Sequence, residues 1–188
     1  MRILGVTASS FELYGAFESI ATVTAAGGET SLTFSSIPQT YQHLQIRGMA
    51  RDTATASTGL LGQAIQVNGT STLNYAYHNL RGNGASVFAD GSTGANAITP
   101  SAITPFDNAI ASTFGVIIVD IHDYTSTTRY KTLRTFGGCD VNGTGGSVGL
   151  ASGFLTNSTA AITSITFPAP WTSFKAGTTF ALYGIKGA

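Results

Sequence analysis

The side chains best suited to chemistry lie close together, at Asp120, His122 and Asp123. Asp120 and His122 are two positions apart, so on a β-strand they share one face, where they could ligate a hard metal ion or act as an acid and a base. Asp120 and Asp123 could be the carboxylates of a polysaccharide hydrolase, but residues three apart at a strand end need not face each other. Because an aspartate there commonly binds nearby backbone, we interpret all three as structural.

The other reactive side chains are isolated from one another. His43 and His78 lack the spacing of metal ligands. The single Cys139 excludes an internal disulfide framework and a Cys-rich zinc site, and we interpret it as a small buried apolar residue. No Gly-x-Ser-x-Gly elbow and no phosphate-binding glycine loop occurs. We therefore expect no enzymatic activity, no cofactor and no metal.

Aromatic side chains offer another kind of site, because exposed rings on a β-sandwich can stack on sugar faces. The candidates are Trp171, Tyr75, Tyr77, Tyr130 and Phe106. Large aromatic residues are more often buried than exposed, so we expect most of these in the core. Carbohydrate binding through the remainder stays an alternative.

Composition restricts the function further. Only 10% of the 188 residues are charged, and the formal net charge is zero. The nine Lys and Arg residues are scattered singly, which disfavours nucleic-acid binding. A nearly uncharged surface gives little repulsion between copies, so we expect a protein that packs against neighbours. No stretch has the length of a membrane span or a signal peptide, which predicts synthesis in the cytoplasm.

The elements that position these residues are β-strands. Residues 113–124 are the most hydrophobic stretch, with β-branched residues on both alternation phases, which predicts a central strand covered on both faces. Residues 129–136 follow as its hairpin partner. Further strands are predicted at 18–24, 31–35, 43–51, 61–67, 73–80, 148–155, 161–167 and 178–185. The pattern indicates an all-β, single-domain antiparallel β-sandwich or jelly roll, spanning residues 18–188.

Two segments do not fit the regular strands. Residues 1–17 form an extended N-terminal arm in this interpretation, with apolar residues that either fold back or contact another subunit. The partner-contact candidates in this arm are Phe11, Leu13, Tyr14 and Phe17. Residues 82–111 are rich in Gly, Ser, Ala, Asn and Thr, so they are predicted to be a long loop with at most short strands. A loop of this kind is usually a binding or contact element.

Four segments together carry a resemblance to a known group of proteins. They are FSSIPQTYQHLQIR at 34–47, NYAYH at 74–78, YKTLR at 130–134 and FALYGIKGA at 180–188. In this order they resemble small structural proteins of tailed bacteriophages, including phages of cyanobacteria. The similarity spans most of residues 18–188 and does not cover the arm or the 82–111 loop.

The resemblance implies a module that works by assembly and brings no catalytic residues. The implied function is a capsid cement, or decoration, protein that binds as a homotrimer to the major capsid protein and stabilises the shell. Its location would be the virion, assembled in the host cytoplasm, with the arm reaching a neighbour. The alternative is a tail-fibre, adaptor or receptor-binding protein that contacts host polysaccharide through the 82–111 loop or exposed aromatic residues.

Overall fold

A computed structural model describes residues 16–55, 59–100, 103–142 and 145–187. All regular structure in these ranges is β-strand. The strands are β1 (Phe17–Thr24), β2 (Ser31–Phe34), β3 (His43–Ala50), β4 (Leu60–Leu61), β5 (Gln66–Val67), β6 (Tyr75–Gly82), β7 (Val87–Ala95), β8 (Thr104–Pro105), β9 (Gly115–His122), β10 (Leu133–Cys139), β11 (Ser147–Leu155), β12 (Ile165–Pro168) and β13 (Thr179–Ile185). The predicted all-β class is confirmed.

The strands form one large sheet and two small ones. The large sheet has eight strands in the order β1-β13-β3-β9-β10-β11-β6-β7, and all its pairings are antiparallel. A three-stranded sheet, β2-β12-β5, and the short pair β4-β8 complete the fold. The predicted central hairpin is present as β9 and β10, with Phe136 opposite Ile118.

The core lies between the inner face of the large sheet and the β2-β12-β5 sheet, which makes the fold a β-sandwich. Alternate residues of β3, β9 and β13 point inward, as the period of two requires. Phe167 of the small sheet stacks on Phe180 of the large one, with ring centroids 4.0 Å apart. Glycines make room for these rings: a Cβ on Gly48 would come within 2.2 Å of the Phe180 ring.

A buried arginine organises the connection between β8 and β9. The guanidinium of Arg51 donates hydrogen bonds to the backbone carbonyls of Asp107, Ala109, Ile110 and Thr113, at 2.7 to 3.0 Å. Its Nε atom also donates to the Asp107 carboxylate at 3.3 Å. One side chain thus satisfies backbone acceptors of a loop that is not paired with a strand.

Three corrections to the sequence interpretation concern the bounds of elements. Residues 82–111 contain the nine-residue strand β7, which pairs with β6 along its length, so they are not mainly a loop. The predicted strand at 61–67 is instead two short strands, β4 and β5, in different sheets. Phe17 is the first residue of β1 and pairs with Ile185, while Phe11, Leu13 and Tyr14 lie outside the described residues.

Candidate interaction surface

The outer face of the large sheet is apolar over six neighbouring strands. Register places Ile118, Phe136, Leu150 and Leu80 directly opposite one another in turn, on β9, β10, β11 and β6. Directly opposed residues of antiparallel strands point to the same face. These four side chains therefore form one continuous row across the sheet, and Phe136 at its centre is 52% exposed.

A second row lies beside the first, two residues along each strand. It contains the exposed side chains of Met49, Val116, Val148 and Val87, on β3, β9, β11 and β7. Glycines occupy the positions between them, at Gly138 on β10 and Gly82 on β6. The two rows together are called the apolar band below.

The glycines leave hollows in the apolar band. An open hollow of about 560 Å³ lies over Gly138, between Val116, Val148 and Phe136. A smaller one of about 260 Å³ lies over Gly82 and is lined by Leu80, Val87 and Val148. Large side chains therefore alternate with open gaps that can each take a side chain, so the surface has relief into which another apolar surface can fit.

The exposure of this face corrects the prediction that β9 is covered on both sides. Its β-branched residues on both phases predicted cover on both sides, yet Val116 is 57% exposed. Val119 and Ile121 of the same strand are fully buried on the inner side. Within the described chain, the strand is thus covered on one face only, which leaves its outward residues available to a partner.

A polar row borders the apolar band on one side. Gln45, Asp120, Arg134, Ser152 and His78 lie directly opposite one another across β3, β9, β10, β11 and β6. The Asp120 carboxylate accepts hydrogen bonds from Arg134 and Gln45, both at 2.9 Å. Burial raises the pKa of Asp120, but the hydrogen bonds from Arg134 and Gln45 outweigh it and hold the pKa below its ordinary value. An apolar centre with a polar border is the usual anatomy of a protein interface.

Phe17 lies on the same outer face, near the β3 end of the apolar band. Its ring stacks on Tyr183, with centroids 4.8 Å apart, and the Arg47 guanidinium lies 5.6 Å above the ring. Arg47 is opposite Ile118 in the first row of the band. Of the four arm candidates, Phe17 is thus the one within the described residues, and it lies beside the apolar face.

The structure brings His43 against His122 and Asp123, but it does not join Asp120 and Asp123 in one site. Asp123 pairs with Arg129 at 2.8 Å, away from the hydrogen bonds of Asp120, and its backbone N–H donates to His43 Nδ1 at 3.0 Å. His122 packs on His43, with ring centroids 4.7 Å apart. In the described ranges, no three His, Cys, Asp or Glu side chains form a group that could hold a metal ion. Asp120 and Asp123 thus each have a partner of their own.

The remaining candidates divide between core and surface. Cys139 is buried and free, and burial raises the pKa of its thiol. Tyr75 and Phe106 are buried, as expected for core aromatics. Trp171 and Tyr130 are exposed, at 66% and 53%, and the Trp171 ring lies 6.1 Å from that of Phe106.

Sequence comparisons add no family to this description. The chain matches no known family model, and no curated protein is similar to it. None of the described residues forms an apolar helix of membrane-spanning length.

Sequence reasoning missed the apolar band because its residues come from six strands. Phe136, Val148 and Leu150 look like ordinary core positions in a hydrophobic strand. Their common face becomes visible only when the register of β10 with β11 is known. One signal was available in the sequence: Phe136 follows Arg134 at a spacing of two, so a charge and a ring share one face.

Proposed function

We propose that this protein is a structural component of a tailed-phage virion, a capsid cement protein that binds as a homotrimer to the major capsid protein. The observation that carries the proposal is the apolar band on the outer face of the large sheet. Monomeric proteins rarely expose a contiguous apolar area of this extent, whereas proteins that work by assembly do. The virion location and the trimer are taken from the sequence resemblance.

The rest of the molecule supports a role in assembly. The net charge of zero and the charged fraction of 10% leave little electrostatic repulsion between neighbouring copies in a crowded shell. Small contact energies would add over many symmetric copies, which is how a cement protein resists internal pressure. Phe17 packs on Tyr183 beside the apolar band, which supports the proposal that preceding residues contact a neighbour on this side.

Labelling of intact virions tests the proposal. Antibody-coupled gold against this protein, imaged on virions of the phage that encodes it, is expected to decorate heads in many copies. Label confined to the tail would contradict the cement role and favour the tail alternative. Virions without label would overturn both. Removal of residues 1–17 tests the arm separately: unchanged capsid attachment would show that the arm does not hold the shell.

A second candidate function has its own observation. Trp171 exposes a large ring beside the buried ring of Phe106. Such a platform can stack on a sugar ring, as a receptor-binding tail protein would require. A glycan array with wild type and Trp171→Ala tests this, with Leu73→Ala as the control at an exposed apolar residue that carries no ring. Binding that falls about tenfold or more in Trp171→Ala alone, as loss of a stacking contact predicts, would support the candidate.

A further inference from the structure

We infer that the apolar band is a self-association surface, on which a second copy of this chain packs face to face about a two-fold axis. The axis lies between the large sheets of the two copies, over Gly137 of each, and runs perpendicular to the strands. The inference narrows the proposed virion role, because it assigns the apolar band to a contact between copies that the purified chain makes alone and leaves the contact with the capsid protein to another surface. It rests on the register of the outer face, the hollows in it and the charges at its border.

The shape of the apolar band on one copy is complementary to the same band on a second copy. A two-fold axis over Gly137 places each row of one copy on the other row of its partner. Phe136 of each copy then enters the hollow over Gly138 of the other, between two valines. In the same arrangement, Leu80 faces the hollow over Gly82. Each large side chain at these positions thus meets a glycine, as interdigitating sheets require.

The border charges match under the same axis. Residues of β10 that are equally far from Gly137 face each other, so Arg134 of each copy lies over Asp140 of the other. Arg134 is exposed, and its guanidinium has N–H donors in addition to the one that binds Asp120. Asp140 is exposed at the end of β10. The symmetric contact therefore carries two opposite-charge pairs, one at each end, which fix its register.

The available area also fits a second copy. Eight apolar side chains form the band, and seven of them are between 43% and 76% exposed. Side chains of this size present on the order of 700 Å² in total, more than the few hundred Å² of an ordinary monomer and close to the roughly 800 Å² that each partner contributes to a stable interface. A two-fold contact gives a dimer, or a hexamer when it is combined with the proposed trimer.

Photo-crosslinking of the full chain tests the contact directly. Benzoylphenylalanine replaces Phe136, and copies with and without heavy nitrogen are mixed so that crosslinks between copies can be recognised. We expect crosslinks between copies onto Val116, Gly138 or Val148 of the partner, which surround the hollow. Crosslinks to residues 1–15, within or between copies, would overturn the inference and assign the band to the arm. Crosslinks to any other surface, or none between copies, would also overturn it.

Native mass spectrometry of the unmodified chain supplies a second readout. Even-numbered assemblies are expected, and a monomer or a trimer without a dimer or hexamer would contradict the two-fold contact. Leu150→Asp and Asp140→Lys should each raise the dissociation constant, Leu150→Asp by about thirtyfold or more. Leu73→Asp is the matched control, because Leu73 is exposed outside the band, and it should leave the dissociation constant unchanged. Circular dichroism verifies that each variant is folded.

The two proposals can fail separately. A trimer that binds virions but makes no contact through Phe136 would overturn the two-fold inference and leave the cement role intact. A dimer with the expected crosslinks that is absent from virions would overturn the cement role and leave the two-fold inference intact.

Discussion

Arg134 lies directly opposite Asp120 on the neighbouring strand, and its Nη2 atom donates a hydrogen bond to Asp120 Oδ2 at 2.9 Å. The other carboxylate oxygen accepts from Gln45 on the opposite side, so one aspartate links β3, β9 and β10. This link marks the border between the polar row and the apolar band. Asp120, the strongest sequence candidate for chemistry, is thus part of a cross-strand network.

Asp120→Asn should change stability in a pH-dependent way. The folded-state pKa of Asp120 is lowered, so its ionised form stabilises the fold above the ordinary carboxyl value near 3.9, and this contribution is lost as the pH falls through the lower folded value. Because Arg134 is largely exposed, the expected loss at pH 7 is about 0.5 kcal/mol. Urea unfolding from pH 7 downward measures it. A difference between wild type and variant that grows as the pH falls would contradict the assignment.

Arg51→Met should be among the most destabilising single changes. The variant leaves four carbonyls of the β8-β9 connection without their donor and Asp107 without one of its two cations. Removal of a buried charged donor of this kind costs about 3 kcal/mol. Arg47→Met makes the same change at an exposed site and should cost less than about 1 kcal/mol. Urea unfolding of both variants gives the comparison, and equal losses would show that the Arg51 bonds are unimportant.

Gly115→Ala should disrupt the start of β9. An added Cβ would lie 1.4 Å from the backbone oxygen of Ile103, so the β8 segment has to move. We expect a loss of about 3 kcal/mol or more, as overpacking against backbone predicts. At Gly82 the nearest atom would be 3.9 Å away, and Gly82→Ala should therefore change stability by less than about 1 kcal/mol. Thermal melting of the two variants tests the contrast, and a Gly115→Ala variant as stable as wild type would refute it.

Lys131→Met should loosen the turn between β9 and β10. The buried Lys131 ammonium donates hydrogen bonds to the carbonyls of Ser126, Arg129 and Thr159. Methionine fills a similar volume but donates nothing, so the expected cost is about 2 kcal/mol. The turn amides of residues 125–130 should also exchange faster with deuterium, which a global loss of stability alone would not confine to this turn. Exchange rates unchanged there would exclude this role for the lysine.

Local sequence signals predicted the central hairpin. The β9-β10 pair follows from two hydrophobic runs around a polar turn. These features depend on neighbours in sequence. The strand β7 was missed because its Gly, Ser and Thr residues pair with β6 through backbone bonds and bury little. A strand that is held mainly by backbone hydrogen bonds lacks the alternation of apolar and polar residues from which strands are predicted.

The candidate site could not be predicted in the same way. Whether Val116 and Phe136 point to the core or to solvent depends on the layer that covers each face, and that layer comes from distant segments. Arg51 gives no sequence signal either, because its five acceptors lie between residues 107 and 113. Both features depend on tertiary contacts rather than on local preference.

The position of β13 in the large sheet sets the order in which the protein can fold. It lies between β1 and β3, although most of the chain is synthesised after those two strands. On the ribosome, β1 therefore has no partner in the large sheet until residues 179–185 emerge. The large sheet cannot be completed before then, and pairings so distant in sequence form slowly. During that wait the nascent chain exposes unpaired strand edges, so its yield in a cell should depend on chaperones and on low temperature.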